Sequence, residues 1–238
     1  DSSWVVKPVE IDDVPILVAT LVSERPQRIS DHELRRIAEE LEIELQAVPG
    51  TNRAEVVGGR PRVVRVELDS DALAARQTAA LDVAWALGVS NERLRAGGFD
   101  RADRFTVVDA GDFFGGVPEL RRAVVNVVDG TPVFLEDVAR VVDGPAERQS
   151  YTWIGFGAGE TRADLHGDPD AAAAAVTHGL FLPAVHVAVA KQKGTNAVDV
   201  ARAVEERIEA LAPTLLPEGV SVRITRNQGE TANDKVNE

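Results

Sequence analysis

The stretch KQKGTNAVDVARAVEERIEAL, Lys191 to Leu211, decides how the chain is read. A lysine-flanked Gly-Thr running into a long helix either cradles a phosphate or simply starts the helix. A phosphate loop needs G-x-x-x-x-G-K-[ST], with lysine directly after the second glycine and the hydroxyl beside it. Here Lys193 precedes Gly194-Thr195, and no earlier glycine stands at the required distance. Residue order excludes the phosphate loop. Gly194 then reads as a turn and Asn196 as an N-cap, whose side-chain oxygen accepts from a free N–H of the first turn. Ala197, Ala201, Val204, Ile208 and Leu211 form one apolar helical stripe, and LLPEG (Leu215 to Gly219) ends it. Apolar runs at Pro183–Ala190 and Val220–Arg226 predict a strand on each side. The unit is βαβ.

The same order occurs near the N-terminus. VPILVATLV (Val14 to Val22) predicts a buried strand. Ser30 and Glu33 fit a capping box, and Leu34, Ile37, Ala38, Leu41, Leu45 and Val48 recur at helical spacing. Pro49-Gly50 stops that helix, and Arg53–Val57 returns as a strand. Two such units predict an α+β fold: a split βαβ, ferredoxin-like domain with both helices on one face of an antiparallel sheet.

A segment of different character separates the halves. VVRVELD (Val63 to Asp69) alternates as a strand, and SDALAARQTAALDVAWALGVSNERL predicts one helix or two, with Ala74, Leu81, Trp85 and Leu87 available for a core. RFTVVDAG, AVVNVVDG and TPVFLEDVARVVDG supply short strands punctuated by turn residues. The stretch from Phe99 to Gly116 is expected to include an exposed loop. The expected division is 1–61 for the first half, 62–147 for an inserted α+β subdomain and 148–238 for the second half.

Bulk properties narrow the function. The 238 residues are 44% hydrophobic, enough for a real core, and carry a formal net charge of −13. Lys and Arg do not cluster, so no nucleic-acid partner is expected. With no Cys there is neither a thiolate metal site nor a thiol nucleophile. No run reaches the ~18 apolar residues of a membrane span. The chain lacks Met and opens DSSWVVKP without a secretory signal, and so reads as a soluble piece of something longer.

Other motifs carry little chemistry. GFGAGE (Gly155 to Glu160) leads into a loop-like stretch rather than the helix a dinucleotide site requires. HGDPD (His166 to Asp170) lacks the ligand count of a calcium loop and reads as an acidic surface loop before a helix starting at Ala171. His178 and His186 have no paired spacing, and His32 is expected to face solvent. No nucleophile elbow occurs. No catalytic residue, cofactor or metal site is expected, and composition alone leaves open a stand-alone ferredoxin-like ligand-binding or regulatory module.

Taken together, several segments resemble RND (resistance–nodulation–division) efflux transporters. VVGGRPRVVRVELDSDAL (Val56 to Leu73) resembles their strand–Gly–strand–Asp-x-x-x-Leu run, and LDVAWALGVSNERLRAGG (Leu81 to Gly98) their helix and Gly-bearing hairpin. ELRRAVVNVVDGTPVFLEDVARVVDG (Glu119 to Gly144) is similar to the family's "dG-x-PV-x-L-x-DVA-x-V" stretch. KGTNAVDVARAVEERIEAL followed by LLPEGVSV is similar to its "G-x-N-A…V…L…LP-x-G" segment.

The resemblance implies a periplasmic portion of a bacterial inner-membrane protein, between its first and second membrane helices, with KVNE just before the second. It implies a porter subdomain interrupted by a docking subdomain, in a proton-driven homotrimer that works with a periplasmic adaptor and an outer-membrane channel. The proton-coupling residues would lie outside this chain. Positions matching the substrate cleft of multidrug members are Ile16, Glu55, Val57, Glu147, Gln149 and Tyr151, of which Ile16 and Val57 stand where the family often has phenylalanine. Substrates would be hydrophobic or amphiphilic small molecules. The metal-exporting branch is the alternative, disfavoured because soft-metal handling uses Met and Cys, both absent here.

Overall fold

The computed structural model describes residues 14–92, 94–101, 104–110, 113–155, 166–167 and 181–230, with backbone alone for 94–101, 104–110 and 166–167. The chain divides into two compact units: residues 1–61 with 145–238, and residues 62–144.

The first unit begins with β1 (Leu17–Ser23), α1 (Asp31–Gln46) and β2 (Thr51–Val57). The Ser30 capping box forms as read: Glu33 N–H donates to Ser30 Oγ at 3.3 Å, and Ser30 N–H donates to Glu33 Oε2 at 2.8 Å. Gly50, at φ +89°, turns the chain into β2, a conformation that costs glycine little.

Residues 62–144 carry β3 (Arg62–Leu68), α2 (Ser70–Ala75), α3 (Ala80–Ser90), β4 (Leu94–Arg101) and β5 (Arg104–Ala110). They continue with α4 (Val117–Arg121), β6 (Val124–Val128), β7 (Thr131–Phe134), α5 (Leu135–Val138) and β8 (Ala139–Pro145). β3 pairs with β8, β4 with β5 and β6 with β7, each as a two-stranded sheet. Asp129-Gly130, both at positive φ, make the two-residue turn between β6 and β7.

The anticipated helical stretch is two helices, broken where Gln77 takes φ +48°. Of its expected core residues, Leu87 packs into the core and the other three do not. Leu81 and Trp85 are 77% and 72% exposed and Ala74 is exposed, whereas Leu73 and Val83 are buried. Val83, Ala86 and Leu87 share the inward stripe at i, i+3 and i+4, which leaves Leu81 and Trp85 on another face. In the Phe99–Gly116 stretch, Phe99–Arg101 and Arg104–Ala110 are paired strands of β4 and β5, while Phe113–Gly115 has no regular structure and Phe113 is exposed.

The first unit resumes with β9 (Trp153–Gly155), β10 (His166–Gly167), β11 (Phe181–Lys191), α6 (Ala197–Leu215) and β12 (Val220–Asn227). The opening stretch is the predicted turn and cap: Gly194 sits at φ +82°, and Asn196 Oδ1 accepts from Val198 N–H at 2.9 Å. The sheet order is β10-β12-β1-β11-β2, with antiparallel pairing throughout. The four long strands have the order of a split βαβ sheet within an α+β fold, as the sequence indicates.

Leu17, Ala19 and Leu21 of β1, Val185, Val187 and Val189 of β11, and Val220 and Val222 of β12 pack with Leu34, Leu41, Val204 and Ile208 of the two helices. Both helices therefore cover one face. With side chains alternating along each strand, Val18, Thr20, Glu55, Val57, His186 and Arg223 point to the other face.

Candidate functional site: an open sheet face and an aromatic cleft

The edge of the sheet is interrupted. β2 pairs with β11 up to Val57 opposite His186, and β9 takes up the same edge with Trp153 opposite Pro183. Residues 62–144 are thus spliced into one edge strand. Gly58 and Gly59, at φ +91° and +64°, take the chain out of it. A Cβ on Gly59 would meet Asp31 O at 2.7 Å, so only glycine fits beneath the start of α1.

The helix-free face carries a polar line across three strands. His186 Nδ1 lies 2.8 Å from Thr20 Oγ1, which lies 2.8 Å from Thr225 Oγ1. The Thr225 hydroxyl donates to Val18 O at 3.3 Å. Since each hydroxyl has one proton, Thr20 donates to Thr225 and His186 donates from Nδ1 to Thr20. Burial lowers the pKa of His186 below its ordinary value, so the ring is neutral at pH 7. Burial likewise lowers Arg223, which pairs with Thr20 in the register. Val57, 49% exposed, lies beside His186, and Glu55 forms an exposed ion pair with Arg53 at 3.0 Å.

On the helix-bearing face, β9 and the start of β11 extend past the beginning of α1. A cleft of about 270 Å³ opens there, walled by Pro26, Ser30, Asp31, Arg60 and Arg148 over Tyr151, Trp153 and Pro183. Arg60 grips Asp31 with a two-pronged contact, Nε at 3.0 Å and Nη2 at 2.9 Å from Oδ1. Arg148 Nη2 reaches Asp31 Oδ2 at 3.1 Å. Burial pushes the Asp31 carboxyl up, but the hydrogen bonds and charge of Arg60 and the charge of Arg148 outweigh it, holding it below its ordinary value. The Arg148 guanidinium carbon lies 5.0 Å from the Tyr151 ring centroid, and the Tyr151 and Trp153 rings lie nearly parallel with centroids 6.4 Å apart. Both rings are more than half exposed.

The six residues anticipated from sequence do not form one wall. Glu55 and Val57 share the helix-free face, Tyr151 lines the cleft on the opposite face, and Glu147 and Gln149 are exposed between β8 and β9. Ile16 is 5% exposed and packs into the core with the helices, so it presents no side chain to either surface. The two-residue strand period divides the set. Sequence reasoning missed Asp31, Arg60, Arg148 and Trp153; the Tyr-Thr-Trp spacing was a visible sign of paired aromatics, whereas Asp31 and Arg148 meet only through the splice. His32, expected in solvent, is half-buried with Nδ1 2.9 Å from Arg60 O. Asp168–Asp170, His178 and the Ala171 helix start lie outside the described residues. Among the described residues no group of three His, Asp or Glu could hold a metal ion, and no helix is long and apolar enough to cross a membrane.

The sequence model of the AcrB/AcrD/AcrF family matches residues 3–157, well over half of the chain. The chain belongs to this RND efflux-transporter family. It is 26% identical over 191 residues to the cation efflux system protein CusA of Escherichia coli strain K12, covering 80% of this chain and 16% of CusA. It is 26% identical over 232 residues to the multidrug resistance protein MdtC of Yersinia pseudotuberculosis serotype O:1b, covering 95% of this chain and 19% of MdtC. A crystal structure of a heavy metal efflux pump matches 97% of this chain and 20% of its own at TM-score 0.61 and 18% identity, a likeness of fold. The chain spans about a fifth of the length of these relatives. Equal identity to a multidrug and a cation protein means that similarity alone assigns neither branch of the RND family.

Proposed function

We propose that the chain is the porter and docking portion of the first periplasmic loop of a proton-driven RND pump that exports hydrophobic or amphiphilic small molecules. The family match over residues 3–157 carries this reading. The unit of residues 1–61 and 145–238 is the porter part, and its helix-free face, with Glu55 and Val57, is one wall of a substrate cleft. The unit of residues 62–144 is the docking part, facing an outer-membrane channel. The full-length protein is an inner-membrane homotrimer that works with a periplasmic adaptor.

The amphiphile branch is favoured over the metal branch by side-chain chemistry. This stretch has no Cys or Met to hold a soft metal ion, and the helix-free face sets aliphatic Val18 and Val57 beside the Thr20, Thr225 and His186 line, with Glu55 and Arg223 as charged groups. Deleting the full-length gene tests the reading. Cells should accumulate more of an amphiphilic dye and survive less of it, with copper and silver tolerance unchanged. Altered metal tolerance with unchanged dye accumulation would overturn the branch, and no change in either would overturn the export reading.

A further inference from the structure

The aromatic cleft has a charge and a shape that the sheet face lacks. Two guanidinium groups share one carboxylate, which leaves the lining with one net positive charge in a chain of net charge −13. The two arginines are held differently. Arg60 is committed to Asp31 by its fork, whereas Arg148 touches Asp31 through Nη2 and otherwise lies against Tyr151. Arg148 is also 40% exposed, against 25% for Arg60, so it is the cation an incoming group reaches.

Next to that cation lies a flat apolar strip of Tyr151, Trp153 and Pro183. Trp153 and Pro183 face each other in the register, and Phe181 continues the strip opposite Gly155. A Cβ on Gly155 would meet the Phe181 ring at 3.0 Å, so the glycine gives the ring room to lie across the strand. An aromatic surface alone would attract cations. Here Arg148 already lies over Tyr151 and would repel a second cation.

We propose that this cleft binds small aromatic anions, with the acid group on Arg148 and the ring on Tyr151 and Trp153. The transport meaning of this site rests on the efflux reading above, while binding itself does not. Size limits the ligand. At about 270 Å³ the cleft falls just below the ~300–1,000 Å³ typical of drug-sized pockets, so it suits one or two fused rings. A carboxylate or sulfonate on such a ring accepts from a guanidinium as a charge-assisted pair.

Titrating the 238-residue chain with 1-naphthalenesulfonate, by calorimetry and by the NMR shift of the Trp153 indole, tests the proposal. The expected result is saturable binding that moves the Trp153 signal. Arg148→Gln weakens it about tenfold or more, because a hydrogen bond to a charged group is lost. 1-Naphthylmethylammonium binds at least about tenfold more weakly than the sulfonate. Trp153→Leu, also on an exposed side chain, weakens the sulfonate while leaving the melting temperature unchanged. Absence of saturable binding, equal affinity for the ammonium compound, or unaltered affinity in both variants overturns the proposal. Those failures leave the efflux reading standing, since gene deletion tests it separately.

Discussion

A β-carbon placed on Gly58 would lie 2.3 Å from Thr152 Oγ1, so the residue just after β2 and the residue just before β9 lie side by side. The sheet edge closes over the splice at this contact, and Ala184 N–H donates to Thr152 O at 3.1 Å to continue it. Gly58→Ala therefore combines a φ of +91° with a collision. Gly130→Ala, at φ +79° with nothing within 4 Å of its Cβ, has the backbone cost alone. Urea melts should show Gly130→Ala losing about 1 kcal/mol and Gly58→Ala clearly more. Equal losses would show that the splice has slack.

Asp31 holds two arginines and is mostly buried, so Asp31→Asn should cost about 1–3 kcal/mol at pH 7, between the values for exposed and buried pairs. The folded carboxyl sits below its ordinary value of 3.8, so the unfolded chain binds the proton more readily. The contribution is complete above about pH 4 and is lost as pH falls through the folded value. Urea melts of both proteins should differ at pH 7 and converge as pH falls below 3.8 through the folded value.

His186 follows the same sign for a different reason. Burial disfavours its charged form, so its folded pKa lies below 6.5 and the unfolded chain takes up the proton first. Stability from the neutral ring is present above about pH 6.5 and is lost as pH falls through the folded value. NMR titration should place the His186 transition below those of free histidine, and His186→Gln should flatten the decline in stability between pH 7 and 5. A transition above 6.5 would contradict burial as the influence that sets the charge of His186.

The second unit distinguishes a buried stripe from an exposed one. Leu135 is fully buried, so Leu135→Ala should cost about 2–5 kcal/mol. Trp85→Gln should stay within about 0.5 kcal/mol, because the ring packs on nothing in its own core. A large loss on Trp85→Gln would mean that α3 is rotated.

Local rules made most of the fold legible. The Ser30–Glu33 box, the Gly194–Asn196 turn and cap, and the repeated βαβ order are encoded within a few residues of each other, and the structure contains each of them. Leu81 and Trp85 were harder to place, since a helix of small apolar residues has no clear polar face to orient it. Ile16 precedes β1, where strand alternation no longer assigns a face. The cleft was the least legible part. Asp31, Arg60 and Arg148 are brought together by a splice across residues 62–144, and that proximity leaves no local pattern in sequence.

The central claim is that the helix-free sheet face forms a substrate wall in the full-length pump. Val57 is half-exposed on that face, and within these 238 residues an introduced cysteine is the single thiol, so its peptide reports on it alone. The direct measurement is the rate of maleimide modification at Val57→Cys in membranes containing the full-length protein, read on the peptide by mass spectrometry. Saturating exported amphiphile should slow that modification several-fold while a non-exported analogue leaves it unchanged. A rate indifferent to every exported compound would contradict the account.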